Sequence, residues 1–184
     1  MAFEACVPTY TNHIDVKPNS SIAKNIEIVH IKHFLVIGRG NMSSKLIMTN
    51  FYSALNKTVI SKGGSSEFEF MNTSNEAQKS NYLDVEGKTY DGYLFLSPQD
   101  SSYIDFHKQK FVFVMPITPT VAVVGSGNGN AYENTFKTRL FNSEKKLIFS
   151  GDIYFHFDPT KERLYDEGVQ NFIFEISRLN ILLW

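Results

Sequence analysis

Residues 145–158, Lys-Lys-Leu-Ile-Phe-Ser-Gly-Asp-Ile-Tyr-Phe-His-Phe-Asp, constrain the fold more than any other stretch of this chain. Successive side chains on a strand point to opposite faces. Leu147, Phe149, Ile153, Phe155 and Phe157 therefore share one face, and Ser150, Asp152, Tyr154, His156 and Asp158 share the other. That division is what a β-strand covering an apolar core requires. It also gathers groups able to do acid, base or hydrogen-bond chemistry on one surface, which either lines a cavity or faces water.

Further strands are expected along the chain. Residues 26–37 are β-branched and apolar on both faces toward their end, as in a central strand, and Gly38 and Gly40 stop them. Glu67 to Met71 alternates charge with Phe68 and Phe70 after a turn at 63–66. Tyr90 to Leu96, Phe111 to Ile117, Val121 to Val124 and Tyr132 to Phe141 follow, separated by turn residues, and the last is close enough to 145–158 to pair as a hairpin. Two segments fit either period. In 43–60, Ile47, Phe51 and Leu55 fit a helical face capped by Ser43 or Ser44, so a helix is expected over 44–56, while Val59 and Ile60 look like strand. In 169–184, Phe172, Phe174 and Ile176 alternate as a strand, yet Phe172, Ile176, Leu179 and Leu183 sit at helical spacing. Asp158-Pro159 could cap one or two helical turns before Gly168.

These signals predict a mainly β protein with one or two short helices. An antiparallel β-barrel of lipocalin-like or cyclase type is favoured because long antiparallel strands must close or cover their edges, with a β-sandwich as the alternative. The chain of 184 residues reads as a single domain over 1–184, with 1–24 as an irregular arm.

Composition narrows the partners. Lys plus Arg is 18 against 19 Asp plus Glu, which gives no sequence-wide attraction to nucleic acid or anionic lipid. No stretch approaches a membrane span of about 20 apolar residues, and Met1 to Tyr10 lack a signal peptide's pattern, so no membrane partner and a cytoplasmic location are expected. Cys6 is the one cysteine, which excludes an internal disulfide and favours a reducing compartment.

Motif by motif, the chemistry stays sparse. The Gly-x-Gly runs at 38–40 and 125–129 follow apolar strands, as a dinucleotide-binding turn would. The first has no acidic residue until Glu67, the second leads into a strand, and neither closes with Gly-Lys-Ser/Thr, so both read as glycine-rich β-turns and no cofactor is expected. His156-x-Asp158 resembles part of a facial-triad iron site, but no histidine follows it, and no metal is expected. Asp152, Tyr154 and His156 are the best acid–base set, spaced by about 7 Å along one strand. The plainer interpretation is a solvated outer face with the phenylalanines inside.

Two functions from different classes are compatible with these residues. One is a barrel binding a small apolar molecule, with Asp152, Tyr154 and His156 catalytic and Phe111, Phe113, Tyr132, Phe136 and Ser150 lining the ligand site. As an enzyme it would be a cofactor-independent isomerase or cyclase. The other is a non-enzymatic interaction or self-assembling protein, such as a homo-oligomer, that uses strand edges and the aromatic surface supplied by 16 Phe and 9 Tyr.

Overall fold

The chain forms β1 (His13–Pro18), β2 (Val29–His30), β3 (His33–Gly40), α1 (Met42–Ser61), β4 (Ser65–Asn72), β5 (Gly92–Pro98), β6 (Asp105–Thr118), β7 (Val121–Asn142), β8 (Leu147–Phe157), α2 (Glu162–Ser177) and β9 (Ile181–Leu182). The structure, a computed structural model, describes residues 13–19, 28–72, 89–99, 105–118, 121–157 and 162–184; for 105–118, 121–133, Ser43 and Phe157 it describes the backbone alone. Seven strands make one mixed sheet along the path β1-β8-β7-β5-β3-β4, with β6 paired to β7, and β2 and β9 make a separate parallel pair.

The fold is mainly β with two helices, as the sequence indicates, but the sheet is open. Its path ends at β1 and β4, so the antiparallel barrel expected from the sequence is not formed among the described residues. β3 runs parallel to both β4 and β5, whereas β5, β7, β8 and β1 alternate in direction. The reason lies in α1, which connects β3 to its parallel neighbour β4 and lies on the sheet. With α1 and α2 covering one face, the apolar side chains are buried without the sheet closing on itself.

Both ambiguous segments are resolved by burial. α1 runs through Ile47, Met48, Phe51, Leu55 and Val59, all buried at helical spacing, and turns Ile60 outward. Its cap is Asn41 rather than Ser43 or Ser44: the Asn41 side chain accepts from the Ser44 backbone N–H at 2.9 Å, and the Ser44 hydroxyl donates to the Asn41 carbonyl at 2.8 Å. Gly63 ends the helix at φ 86°, a conformation that favours glycine. α2 buries Tyr165, Val169, Phe172, Ile173 and Ile176 and leaves Phe174 59% exposed, so helical spacing prevails over alternation there. The proposed cap at Asp158-Pro159 and the thiol of Cys6 lie outside the described residues.

The main core joins both helices to the inner face of the sheet: Phe34 and Val36 of β3, Leu94 and Leu96 of β5, Phe136 and Leu140 of β7, and Phe149, Ile153 and Phe155 of β8. Phe51 of α1, Phe172 of α2 and Phe149 of the sheet form edge-to-face contacts, with centroids 6.1 Å and 5.8 Å from Phe172. A smaller cluster of Leu35, Ile37, Tyr90 and Tyr93 lies across the sheet from these side chains, flanked by Met71, Phe95 and Phe141. Residues 13–18, assigned to the irregular arm from sequence, form the edge strand β1, which places Ile14 against α2 and His13 opposite His156.

Candidate functional site

The face of β8 opposite the core carries Ser150, Asp152, Tyr154 and His156. Asp152 is exposed and the other three are half-buried, on the side of the sheet that the helices leave uncovered. The alternation expected from sequence therefore holds from Phe149 to Phe155. It fails at Leu147, which is 40% exposed while Ile148 is buried, because the β7–β8 register shifts between Leu140 and Phe141.

β1 adds to this face two residues that sequence reasoning missed. His13 stacks on His156 at 5.4 Å and approaches Tyr154 at 5.9 Å, and its Nε2 lies 3.4 Å from the Asp15 carboxylate. Tyr154 and His156 are themselves stacked at 6.2 Å. No local signal joins residue 13 to residue 156, since the pairing exists only once β1 docks on β8. The result is a ladder of rings and carboxylates on the sheet face that the helices leave uncovered. Among the described residues, no group of three or more His, Cys, Asp or Glu is placed to hold a metal ion.

The other expected site residues do not join this cluster. Phe136 is 1% exposed on the helix side of the sheet, in edge-to-face contact with Phe155 at 5.1 Å, and borders an apolar void with no room for water. It thus faces away from Ser150, Asp152, Tyr154 and His156. Tyr132 stands where β7 pairs with both β6 and β8, and Phe111 and Phe113 lie farther along β6 opposite Gly127 and Gly125. The side chains of these three lie outside the described ones.

The β6–β7 hairpin is the longest strand pair among the described residues. β7 is 22 residues long, and only its second half belongs to the body of the sheet: β8 reaches it as far as Tyr132, and β5 as far as Phe136. Among the described residues, its one strand partner from Ala131 back to Val121 is β6, and β6 pairs with β7 alone. The hairpin therefore continues past the paired part of the sheet for about 35 Å, at ~3.3 Å per residue, with both outer edges unpaired among the described residues. Residues 121–131 of β7 read Val-Ala-Val-Val-Gly-Ser-Gly-Asn-Gly-Asn-Ala, without a charge or a proline, the two devices that normally blunt an exposed edge. The outer half of the hairpin, 111–117 and 121–124, is apolar in sequence. The glycines of 125–129, expected to form turns, instead lie within the strand, each opposite a larger residue of β6: Gly125 opposite Phe113, Gly127 opposite Phe111 and Gly129 opposite Gln109.

Residues 8–165 match the model of a protein family described as Bacillus thuringiensis P21 molecular chaperone protein. The chain belongs to this P21 family. The matched span runs from ahead of β1 to the first residues of α2, so it takes in the whole sheet, α1 and the hairpin. No curated protein matches the chain. Among solved structures, a PelC dodecamer from Paraburkholderia phytofirmans is similar at a TM-score of 0.45 and 8% identity, covering 86% of this chain and 96% of that one. A variant PelC dodecamer from the same organism gives 0.43 and 6%, covering 88% and 96%. No helix among the described residues is long and apolar enough to cross a membrane.

Proposed function

We propose that this P21-family chain is a non-enzymatic, polypeptide-holding chaperone whose β6–β7 hairpin captures extended segments of a partner chain on its free edges. The observation that carries this reading is the uncharged edge of β7 over 121–131, unpaired among the described residues, within a family whose description is that of a molecular chaperone. Unpaired strand edges offer N–H and C=O groups to any extended chain, and an apolar hairpin end supplies burial for its side chains. Main-chain pairing is tolerant of sequence, which suits a protein that must hold a partner before it has folded. The same edges would accept a second copy of this chain, so self-association competes with partner capture.

The alternative of an acid–base enzyme acting on an apolar molecule gains no support from the placement of its residues. Asp152 is exposed and Tyr154 and His156 are half-buried on the face that the helices leave uncovered, and Phe136 points into the core behind them.

The test is suppression of light scattering by a heat-unfolded client protein, comparing the wild type with a Ser126→Lys/Asn128→Lys variant and a Ser126→Ala/Asn128→Ala control. The wild type and the alanine control suppress aggregation, and the lysine variant loses most of the effect while its melting temperature is unchanged. Suppression by the lysine variant equal to that of the wild type would overturn the edge-capture mechanism.

A further inference from the structure

A second surface lies beside the small apolar cluster, on the sheet face that the helices leave uncovered. Register places Phe95 of β5 between Ile37 of β3 and Arg139 of β7. The next row holds Ser97 between Lys137 of β7 and Arg39, which lies one position beyond the Gly38–Leu96 pair. Arg39, Lys137, Arg139, Ser97, Phe95 and Phe141 line a cleft of about 270 Å³. The three cations are exposed, and Phe95 and Phe141 form a half-buried edge-to-face pair at 5.5 Å beneath them.

What sets this cleft apart is its charge. Elsewhere Arg163 is matched by Glu167 at 3.1 Å and Arg178 by Glu175 at 3.3 Å, and among the described residues the remaining lysines without an ion pair do not share a cleft with two other cations. Arg39, Lys137 and Arg139 have no ion pair among the described residues. The carboxylates nearest in register are Asp152, opposite Lys137, and Glu69, opposite Ile37, and neither is paired with a cation of the cleft. Three like charges held together on a rigid sheet favour an anionic occupant.

Spacing identifies its shape. Lys137 and Arg139 are two residues apart on one strand, about 7 Å, and Arg39 is two strands away, about 10 Å. Carboxylates at alternate positions of an extended peptide repeat at the same ~7 Å, and the phenylalanine pair offers an apolar seat beside them. The volume is at the lower limit of the roughly 300 Å³ typical of sites that enclose a small molecule, so one or two side chains fit better than a whole metabolite. A net charge of −1 gives no chain-wide attraction to nucleic acid.

We infer that the Arg39–Lys137–Arg139 cleft is a binding site for extended acidic peptide segments, with carboxylates at alternate positions and a neighbouring aromatic side chain. The inference rests on the reading of this chain as a polypeptide binder and gives it a selectivity: partners are chosen by acidic stretches here and held by strand pairing at the hairpin.

The experiment is fluorescence anisotropy of the full chain with a labelled peptide of alternating Asp and Phe, against a peptide of alternating Lys and Phe, a single-stranded oligonucleotide and inorganic phosphate as competitors. The acidic peptide binds, its affinity falls as salt rises, and Arg139→Gln or Lys137→Gln weakens it about fivefold each. The triple variant Arg39→Gln/Lys137→Gln/Arg139→Gln weakens it more than tenfold while melting as the wild type does. Equal affinity for the lysine peptide, an unchanged affinity of the triple variant, or preferential binding of the oligonucleotide would overturn the site. Because the assay contains no aggregating client, loss of peptide binding with client holding intact removes this site alone. Peptide binding that persists in a protein unable to hold a client supports the site and removes only the chaperone role.

Discussion

Replacing Phe172 by alanine tests the core between the two helices and the sheet from which the hairpin is presented. Its side chain is fully buried, touches Phe51 of α1 and Phe149 of β8 edge to face, and so joins α2 to its neighbouring helix and to the sheet. Removing a buried phenylalanine costs about 3–5 kcal/mol through lost transfer energy and the cavity left behind. At about 4 kcal/mol the unfolding constant rises nearly a thousandfold, a large part of the 5–15 kcal/mol that holds a domain together. With a urea slope of about 2 kcal/mol/M, the midpoint falls by roughly 2 M with the slope unchanged. Phe174→Ala, two residues away and 59% exposed, stays within about 0.5 kcal/mol. Urea titrations followed by far-UV circular dichroism give both numbers. Equal losses at 172 and 174 would mean that this segment alternates as a strand, and a loss below 1 kcal/mol at Phe172 would mean that the layers do not meet there.

Three further outcomes are expected. Asn41→Ala removes the acceptor for the Ser44 N–H and costs about 1 kcal/mol, a fall in melting temperature of about 2–4 °C for a chain of this size, whereas Asn41→Asp keeps the cap; differential scanning calorimetry reads the difference. Gly151→Ala sets a Cβ 2.8 Å from the backbone carbonyl of Lys17, which cannot move without β1, so stability falls by about 1–3 kcal/mol and hydrogen exchange of the β1 amides accelerates first. His156→Ala and Tyr154→Phe change unfolding free energy by less than about 1 kcal/mol and leave suppression of client aggregation as in the wild type; loss of holding in either variant would restore the ladder of β8 as a functional site.

What was legible in the sequence is what short-range periodicity encodes. β8 is read correctly from Phe149 to Phe155 because one face is buried and the other is not, and Phe172 with Ile176 marks the buried stripe of α2. The architecture was not legible, because it depends on pairings between distant residues. β3 and β4 are parallel across a 20-residue helix, and nothing within either strand announces its direction. The glycines of 125–129 carry a turn signal, yet a partner strand opposite each of them keeps the chain extended. The same limit hid His13, brought to His156 by an edge strand, and the cationic cleft, whose residues come from β3, β5 and β7.

Hydrogen exchange of the full chain with and without a bound, partly unfolded client tests the central claim most directly. Strand addition protects the amides of 121–131 and of β6 when the client is held, with little change in α1, α2 and the inner strands. Unchanged exchange along the hairpin while a client is demonstrably bound would contradict edge capture and move the holding surface elsewhere on the chain.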